Sequence, residues 1–340
     1  MRSSYLRART RASLHMDSTP GNSGNLRIYD LLSSATRISR ITSRHADVST
    51  FSIHGSNGPC LIAVKHVLVN GVPAKKSIKR EFEMLTDLQH ILGGSISETI
   101  PRPLLLLENE GTIVFTFIPG VPLDKLLRMH ANVLTGNLNP IGLRRLGRAA
   151  SHVGQWLKSF HTATAIEVQK FDHSLFTAEL DGAIAKCEPL RVSNLGIEVL
   201  RDRALKLSER AAGSSVPIAA THGDFLPQNI LLEHGRPGVI DFASSYRSGP
   251  VYTDLAHFVG YLISLGSKPL YARKAIERAI RAFLEGYSRH LNHTVLRLYV
   301  VRAILRIAND SSQTRRRELA ETTIRLINSI LDEESTDPIP

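Results

Sequence analysis

The sequence predicts an α+β fold, with a small antiparallel sheet in the N-terminal part and a larger, mostly helical C-terminal part. Extended apolar segments are concentrated before residue 119, which is typical of a small sheet. From Pro119 and Gly120 onward, apolar residues recur at helical spacing. The chain has 340 residues, of which 42% are hydrophobic, so it is long enough to bury large cores.

The small sheet is predicted from two single strands and one hairpin. The strands cover residues 50–53 and 60–69, and the hairpin joins residues 104–107 to residues 112–118. The connecting letters ENEG end in glycine, as hairpin turns often do.

A helix is predicted over residues 77–92, between the single strands and the hairpin. At 100° per residue Glu81 falls within the apolar face of this helix, whereas Glu83 points away. An acid that faces a core needs a cationic partner, and Lys65 lies in the middle of an apolar strand. The pattern therefore predicts a Lys65–Glu81 ion pair. Two alternatives are that Glu83 is the true partner and that the pair is purely structural.

The C-terminal part is predicted to contain a long helix, two short strands and two or three further helices. Apolar residues from Leu146 to Phe160 form one buried face, in which Trp156 belongs to the core and His161 is a packed, hydrogen-bonded histidine rather than a catalyst. The strands cover residues 229–232 and 238–242, and the last helices occupy residues 268–334.

Composition excludes several classes of protein. No apolar run reaches the 18 to 20 residues that a membrane helix needs, so no membrane association is predicted. Two cysteines, Cys60 and Cys187, cannot form a disulfide framework and have no second ligand at zinc spacing. A reducing compartment is favoured, and a cytoplasmic location is predicted.

The net charge of +11 is unevenly distributed, because the first 44 residues contain eight arginines and only two acids. Residues 1–27 are predicted to be a disordered basic tail. Alternatives are a transit-like leader, an RNA-binding arm, or upstream sequence if Met16 rather than Met1 is the true start. Nucleic-acid binding is not expected outside this tail.

The most informative segment is HGDFLPQN, residues 222–229, followed by the strand and VIDF at residues 239–242. Chance would produce H-G-D-x4-N about 0.002 times in a chain of this length, taking roughly 5% for each fixed residue. The hairpin would bring Asp241 close to Asn229. Mg²⁺ prefers oxygen ligands, and phosphoryl transfer also needs a separate carboxylate, here Asp224, to orient the attacking hydroxyl.

Four segments together resemble the aminoglycoside phosphotransferase and choline kinase family, whose bilobal fold is similar to that of protein kinases. They are HGDFLPQNILL, GVIDFASSYRSGPVYTDLAH, FTFIPGVPL and LKSFHTATA. The resemblance covers roughly residues 36–330. It implies a nucleotide-binding lobe over residues 28–118 and a catalytic and acceptor-binding lobe over residues 119–335.

The resemblance also implies roles for individual residues. Asp224 would be the catalytic base or orienting carboxylate, and Asn229 would assist it. Asn229 and Asp241 would bind the Mg²⁺ ions that bridge the phosphates of ATP, or of GTP in its place. Lys65 would contact the α- and β-phosphates and be held by Glu81.

In such kinases the backbone of the hinge receives adenine. The corresponding residues here are Phe115, Thr116, Phe117 and Ile118. The resemblance further implies that His222 braces the catalytic loop and that Asp254 is the buried acid that ties the following helix to this loop.

One segment departs from the family pattern. The loop expected to cover the phosphates, near residues 39–51, has no glycine, although backbone amides close over phosphates most easily where no Cβ intrudes. Side chains such as Ser43, Arg44 and Ser49 are candidates to replace those amides. The loop leaves open a catalytically silent, nucleotide-binding protein as the alternative to a kinase.

The charge of the C-terminal helices bears on the acceptor. Residues 268–306 contain nine lysines or arginines against two glutamates, which disfavours a polycationic acceptor. We therefore expect a neutral or anionic hydroxylated small molecule, such as a sugar or another metabolite. The alternative is that these cations lie on solvated faces. The sequence identifies neither the acceptor nor the oligomeric state.

Overall fold

A computed structural model describes residues 35–42, 46–55, 58–134, 140–186, 194–310, 326–328 and 330–331. The chain divides into two compact units, Met1–Ile118 and Pro119–Pro340. The first contains an antiparallel sheet with helices, and the second is mostly helical, so the predicted α+β class is confirmed. Among the described residues, no helix is long and apolar enough to cross a membrane.

The first unit is a sheet with strand order β1-β2-β3-β6-β5, in which all neighbours are antiparallel. A short strand, β4, pairs with the end of β3. The elements in chain order are β1 Thr36–Thr42, β2 Ala46–Gly55, β3 Gly58–Val69, β4 Val72–Pro73, α1 Lys75–Ile91, α2 Gly94–Ser97, β5 Pro103–Leu107, a 3-10 turn Glu108–Glu110 and β6 Thr112–Thr116.

The two faces of β3 have different surroundings because side chains alternate along a strand. Ile62 and Val64 point to one face, where they pack in a buried cluster with Leu105 and Val114. Lys65 points to the opposite face and is itself buried. This alternation brings the lysine to the buried side of α1.

Two expectations for the N-terminal unit are corrected. The strand β1 was not predicted, because its sequence TRISRIT is largely polar and all its residues with described side chains are exposed. The phosphate-covering loop was predicted over residues 39–51, but Ser39–Thr42 belong to β1 and Ala46–Phe51 belong to β2. Only residues 43–45, including Ser43 and Arg44, separate these strands, and they lie outside the described residues.

The second unit is built mainly from helices, with two small three-stranded sheets of order β11-β10-β7 and β12-β9-β8. The elements are β7 Val121–Pro122, α3 Leu123–His130, α4 Pro140–Ala163, β8 Ala165–Lys170, α5 His173–Ala185, α6 Asn194–Ala211, β9 Ser215–Thr221, β10 Ile230–Glu233, β11 Arg236–Val239, β12 Tyr246–Pro250, α7 Tyr252–Gly266, α8 Arg273–Tyr287 and α9 His293–Asp310.

The long predicted helix is α4, and its predicted apolar face is buried from Leu146 to Phe160, with Trp156 included. The second strand of the C-terminal hairpin was predicted over residues 238–242, but the observed strand β11 covers Arg236–Val239. It ends three residues earlier than predicted, before a 3-10 turn, Phe242–Ser244.

Helices α4 and α8 approach closely at two glycines. A Cβ placed on Gly154 of α4 would overlap the carbonyl oxygen of Phe283, and one placed on Gly286 of α8 would overlap the carbonyl oxygen of Ser151. The backbones are in contact at both points, so a side chain larger than hydrogen would push the helices apart.

We expect Gly154→Ala to lower the free energy of unfolding by about 1 to 3 kcal/mol, the usual cost of forcing an extra methyl group into a packed interior. Urea unfolding followed by circular dichroism measures this loss. Gly147→Ala is the matched control in the same helix, because nothing lies within 4 Å of its Cβ position. The control should be neutral or stabilising, since alanine favours helices over glycine. Equal losses in both variants would contradict the close approach.

Candidate active site

The predicted catalytic loop follows strand β9 and ends in a 3-10 turn, Pro227–Asn229. Asp224 and Asn229 are in contact across this loop. The side-chain Nδ2 of Asn229 donates to the backbone oxygen of Asp224 at 2.9 Å and to its carboxylate Oδ2 at 3.2 Å. The structure therefore brings together two of the residues that the motif singled out.

The two acceptors around Nδ2 fix the orientation of the Asn229 amide, because only its NH₂ group can donate to both. Its Oδ1 atom faces away from Asp224 and accepts no hydrogen bond from the described residues. Asn229 is buried, although its side chain ends in a strong acceptor. A cation ligated by oxygen would satisfy this atom.

Asp241 lies beside Asn229, as the predicted hairpin requires. Strand β10 pairs with β11 from Ile230↔Val239 onward, and the N–H of Ile240 donates to the backbone oxygen of Asn229 at 3.0 Å. Asp241 itself has φ +68° and ψ +66°, the left-handed conformation that costs a residue with a Cβ. Such strain is commonly retained where a side chain must be aimed.

His222 joins the catalytic loop to the Asp241 segment. Its Nε2 lies 3.0 Å from the backbone oxygen of Ile240, to which it donates, and its Nδ1 accepts the N–H of Asp224 at 3.3 Å. The Oγ of Ser245 donates to the His222 backbone oxygen at 3.0 Å. His222 thus holds the backbone on both sides of the site.

Gly223 lets these two segments touch. It has φ +73°, and a Cβ at this position would overlap the carbonyl oxygen of Ser244. Both the conformation and the contact require glycine. This explains why the motif places glycine between its histidine and its aspartate.

A buried carboxylate, Asp254, holds the catalytic loop in place through hydrogen bonds to its backbone. It is fully buried near the start of α7, and its Oδ2 and Oδ1 accept the backbone N–H groups of His222 at 2.8 Å and Gly223 at 2.9 Å. His161 of α4 approaches Oδ2 with its Nε2 at 3.1 Å and contacts the Tyr287 hydroxyl with its Nδ1 at 3.0 Å.

The ionisation of Asp254 decides where the protons of this network lie. Burial raises the pKa of Asp254, but hydrogen bonds and charge interactions with His161 and His222 outweigh it, so the net pKa is lowered and the group is a carboxylate. His161 therefore donates from Nε2 to this carboxylate, and its Nδ1 lies within hydrogen-bond distance of the Tyr287 hydroxyl, whose pKa is raised by burial. His161 is a hydrogen-bonded core histidine, as predicted.

Asp224 and Asp241 are each followed by a buried phenylalanine. Phe225 stacks on Trp156 at 5.9 Å between ring centroids, and Phe242 contacts the ring of His222 at 4.6 Å and that of Phe160 at 6.4 Å. Burial of a phenylalanine contributes about 1.5 to 3 kcal/mol. The two rings anchor the backbone on which Asp224 and Asp241 sit.

Burial raises the pKa of the Asp224 carboxyl above its ordinary value. Interactions with His222 and Arg306 and the hydrogen bond from Asn229 lower it, while the neighbouring charge of Asp241 raises it further. The raised pKa makes this carboxylate a better proton acceptor than one in water. Asp224 and Asp241 are close enough to influence each other.

In the first unit, Lys65 and Glu81 form the predicted ion pair. The Nζ of Lys65 donates to both carboxylate oxygens of Glu81, at 3.0 and 2.9 Å, and both side chains are buried. Glu83 is exposed, so the alternative partner is excluded. The pair places a fixed ammonium group on the face of β3 that packs towards α1.

The predicted hinge residues Phe115, Thr116, Phe117 and Ile118 form the end of β6 and the two residues after it. The N–H of Thr116 donates to Arg102, and that of Phe117 donates to Leu61. Within the described chain, the N–H of Ile118 donates no hydrogen bond.

Sequence reasoning did not assign a role to Arg306 of α9, which lies at the catalytic loop. Its Nη1 donates to the backbone oxygen of Gly223 at 3.0 Å, and its Nη2 lies 3.6 Å from the Asp224 carboxylate. The available signal was a charge inside the apolar run LYVVRAILRI, the same kind of signal that identified Glu81.

The donor set fits Mg²⁺ better than a transition metal. No group of three or more His, Cys, Asp or Glu side chains suited to a metal occurs among the described residues. Asp241 would supply a carboxylate, and Asn229 would supply an amide oxygen. Two protein oxygens, completed by phosphate oxygens and water, are what Mg²⁺ uses in phosphoryl-transfer sites.

Comparison with protein families supports the same chemistry. A model described as "APH: Phosphotransferase enzyme family" matches residues 49–299. This range includes the ion pair of the first unit and the catalytic loop, but it ends before Arg306. A search of curated proteins gave no significant match.

Solved structures with the same fold include two aminoglycoside phosphotransferases and a glucosamine kinase. A thermostable mutant of APH(4)-Ia in complex with ADP and hygromycin B has a TM-score of 0.60 and 14% identity, with 93% of this chain and 100% of that chain covered. For APH(2'')-Ib with ADP bound, the TM-score is 0.55 and the identity 14%, with 92% of this chain and 97% of that chain covered. For glucosamine kinase, the TM-score is 0.54 and the identity 18%, with 84% of this chain and 76% of that chain covered. At these identities the likeness shows the fold alone.

Proposed function

Because the chain belongs to the phosphotransferase enzyme family, we propose that it is an ATP-dependent kinase that transfers the γ-phosphoryl group to a hydroxyl of a small molecule. The observation that carries this proposal is the contact between Asp224 and Asn229, with Asp241 beside them. It combines a carboxylate of raised pKa with two oxygen ligands for a metal ion.

In the proposed reaction, Asp224 accepts or orients the proton of the acceptor hydroxyl, so that the oxygen is directed at the γ-phosphorus. The proton leaves the hydroxyl as the new P–O bond forms and the bond to the β-phosphate oxygen breaks. Asn229 and Asp241 would hold Mg²⁺. When bound, this ion supplies charge neutralisation for the phosphate oxygens.

The first unit would supply the nucleotide contacts. Lys65, fixed by two hydrogen bonds to Glu81, would bind the α- and β-phosphates, and the Ile118 N–H would bind adenine. We propose a cytoplasmic location on the composition of the chain, which contains only two cysteines.

Thermal denaturation with ATP or GTP, each with and without Mg²⁺, tests nucleotide and metal binding together. A ligand at 100 times its Kd stabilises the native state by about 2.7 kcal/mol. We expect a Mg²⁺-dependent rise in Tm for the unchanged protein and its loss in Asp241→Ala.

The matched control is Asp202→Ala, which removes an exposed carboxylate that pairs with Lys206 on α6. This variant should keep the full Mg²⁺-dependent rise in Tm. If the unchanged protein shows no rise at millimolar nucleotide, or if Asp241→Ala keeps it, the metal assignment is wrong.

A further inference from the structure

Both oxygens of the Asp224 carboxylate have a partner. Its Oδ2 accepts from the Nδ2 of Asn229 at 3.2 Å, and its Oδ1 forms an ion pair with Arg306, whose Nη2 lies 3.6 Å away. A carboxylate that is held at one oxygen only can still turn about its last side-chain bond, where rotation is soft. The second partner opposes this rotation, so the orientation of Asp224 depends on both Asn229 and Arg306.

Arg306 also contacts the backbone that carries Asp224. Its Nη1 donates to the backbone oxygen of Gly223 at 3.0 Å. A guanidinium group is planar and presents its N–H groups in fixed directions. Because one group contacts both the Gly223 carbonyl and the Asp224 carboxylate, it fixes the side chain of the loop relative to the backbone of the same loop.

His257 orients this guanidinium group. Its Nε2 lies 3.2 Å from the Nη1 of Arg306. Burial lowers the pKa of His257 to about 4, so the ring is neutral at physiological pH and its Nε2 can accept from the arginine. His257 belongs to α7, the helix whose Asp254 accepts from the backbone of the catalytic loop. One helix therefore supports this loop both directly and through Arg306.

Arg306 is anchored at its backbone and accessible at its end. The preceding residues of α9, Ile304 and Leu305, are buried, and this helix packs against α7. The accessible fraction of the side chain is 46% for Arg306 and 29% for Asp224. A small molecule can therefore reach the carboxylate while both of its oxygens stay held.

We propose that Arg306 is a positioning residue that holds the Asp224 carboxylate in the orientation that meets the acceptor hydroxyl, and that His257 supports it in this role. This inference rests on the proposed function, because it assumes that Asp224 orients the attacking hydroxyl. A displacement of about 1 Å in such a group can lower a rate about 100-fold. The family model ends at residue 299, so the role follows from the contacts of this chain and not from the family match.

The first test compares the unchanged chain with Arg306→Gln in steady-state ADP release from ATP and Mg²⁺, with water as the acceptor. We expect kcat to fall by about 10- to 100-fold, because the carboxylate loses its ion pair and keeps its hydrogen bond from Asn229. KM for ATP should change little, since Asp224 acts on the acceptor and not on the nucleotide. All variants are assayed well below their unfolding transitions, so a role of Arg306 in stability alone would leave kcat unchanged.

A double variant shows whether Arg306 acts through Asp224. If it does, adding Arg306→Gln to Asp224→Asn should lower kcat little further, because the carboxylate that Arg306 positions is already missing. The same single and double variants are also compared by urea unfolding, which needs no turnover. An attractive contact between the two side chains makes the loss of stability in the double variant smaller than the sum of the single losses.

Three further variants complete the design. Arg306→Lys should recover part of the kcat that Arg306→Gln loses, since it keeps the charge but lacks the planar fork. His257→Leu removes the acceptor that orients Arg306 and should give a smaller fall in kcat than Arg306→Gln. Arg273→Gln is the matched control, because it removes an exposed arginine of α8, and it should leave kcat unchanged.

The outcomes separate this inference from the proposed function. The positioning role is overturned by an unchanged kcat in Arg306→Gln, by an equal fall in kcat with and without the Asp224 carboxylate, or by additive losses of stability in the unfolding cycle. If the unchanged chain binds ATP and Mg²⁺ but releases no ADP with any acceptor, the proposed function is contradicted instead. The unfolding cycle then still decides whether Arg306 holds Asp224.

Discussion

Replacing Asp224 by asparagine is expected to lower kcat by about 10²- to 10⁴-fold, the usual contribution of a positioned acid or base. The variant has nearly the same shape, so the hydrogen bonds of the loop to Asp254 are expected to remain. What it lacks is a carboxylate able to accept the proton of the attacking hydroxyl. Burial raises the pKa of the Asp224 carboxyl, which makes it a better proton acceptor in the reaction, and asparagine cannot replace it in this role.

Turnover is measured as ADP release, with water or a hydroxylated small molecule as the acceptor, and nucleotide binding is measured separately by the Mg²⁺-dependent rise in Tm. That rise should persist in Asp224→Asn, whereas it disappears in Asp241→Ala. Asp181→Asn serves as the control, because Asp181 is an exposed acid that pairs with Arg201 far along the sequence from the loop. Its kcat should not change.

Two results would contradict these assignments. A near-normal kcat in Asp224→Asn would show that another group orients the hydroxyl. Nucleotide binding without turnover in the unchanged protein, with any acceptor, would favour the silent nucleotide-binding alternative that the glycine-free loop first suggested.

The parts of the site that the sequence predicts are those built from local segments. Asp224 and Asn229 are five residues apart in one turn, and a four-residue strand pair returns the chain from Asn229 to Asp241. Lys65 and Glu81 were paired across 16 residues because each is a charge inside an apolar pattern, and burying either alone would be costly. In each case, either a short separation in sequence or the high cost of burying an unpaired charge was enough to predict the contact.

The parts that the sequence does not predict depend on distant residues with ordinary local surroundings. The family resemblance, and not a local pattern, implied that Asp254 contacts the loop 31 and 32 residues away, and its pairing with His161, 93 residues away, was not predicted. Arg306 reaches Gly223 across 83 residues. No periodicity within one element specifies which partner a buried polar group will find. Edge strands such as β1 are missed for another reason, because their residues are exposed and show no alternation of apolar and polar side chains.

Removal of the Asp254 side chain is expected to have the largest effect on stability. Asp254→Ala would leave two buried backbone N–H groups and the Nε2–H of His161 without acceptors. Breaking a buried charged network by deleting one member costs about 3 to 5 kcal/mol. This is a large fraction of the 5 to 15 kcal/mol by which proteins are usually stable.

Urea unfolding measures this loss, and Tyr287→Phe provides a milder variant if Asp254→Ala does not fold. Tyr287→Phe removes only the hydroxyl that is hydrogen-bonded to His161, so it should cost about 0.5 to 1.5 kcal/mol. Asp181→Ala, at an exposed site, should cost less than about 0.5 kcal/mol. A loss in Asp254→Ala no greater than that of Asp181→Ala would show that the network does not support the fold.

The charge of Asp254 also predicts a pH dependence that Asp254→Asn can isolate. The folded-state pKa of Asp254 is lower than its ordinary value of 3.8, so the unfolded chain binds this proton more readily than the folded one. The stability contributed by ionised Asp254 is therefore fully present above pH 3.8 and decreases as the pH falls through the folded-state pKa. The difference in unfolding free energy between the unchanged protein and Asp254→Asn should shrink over this acidic range. A difference that stays constant there would mean that Asp254 acts through hydrogen bonds alone and that its charge does not hold the catalytic loop.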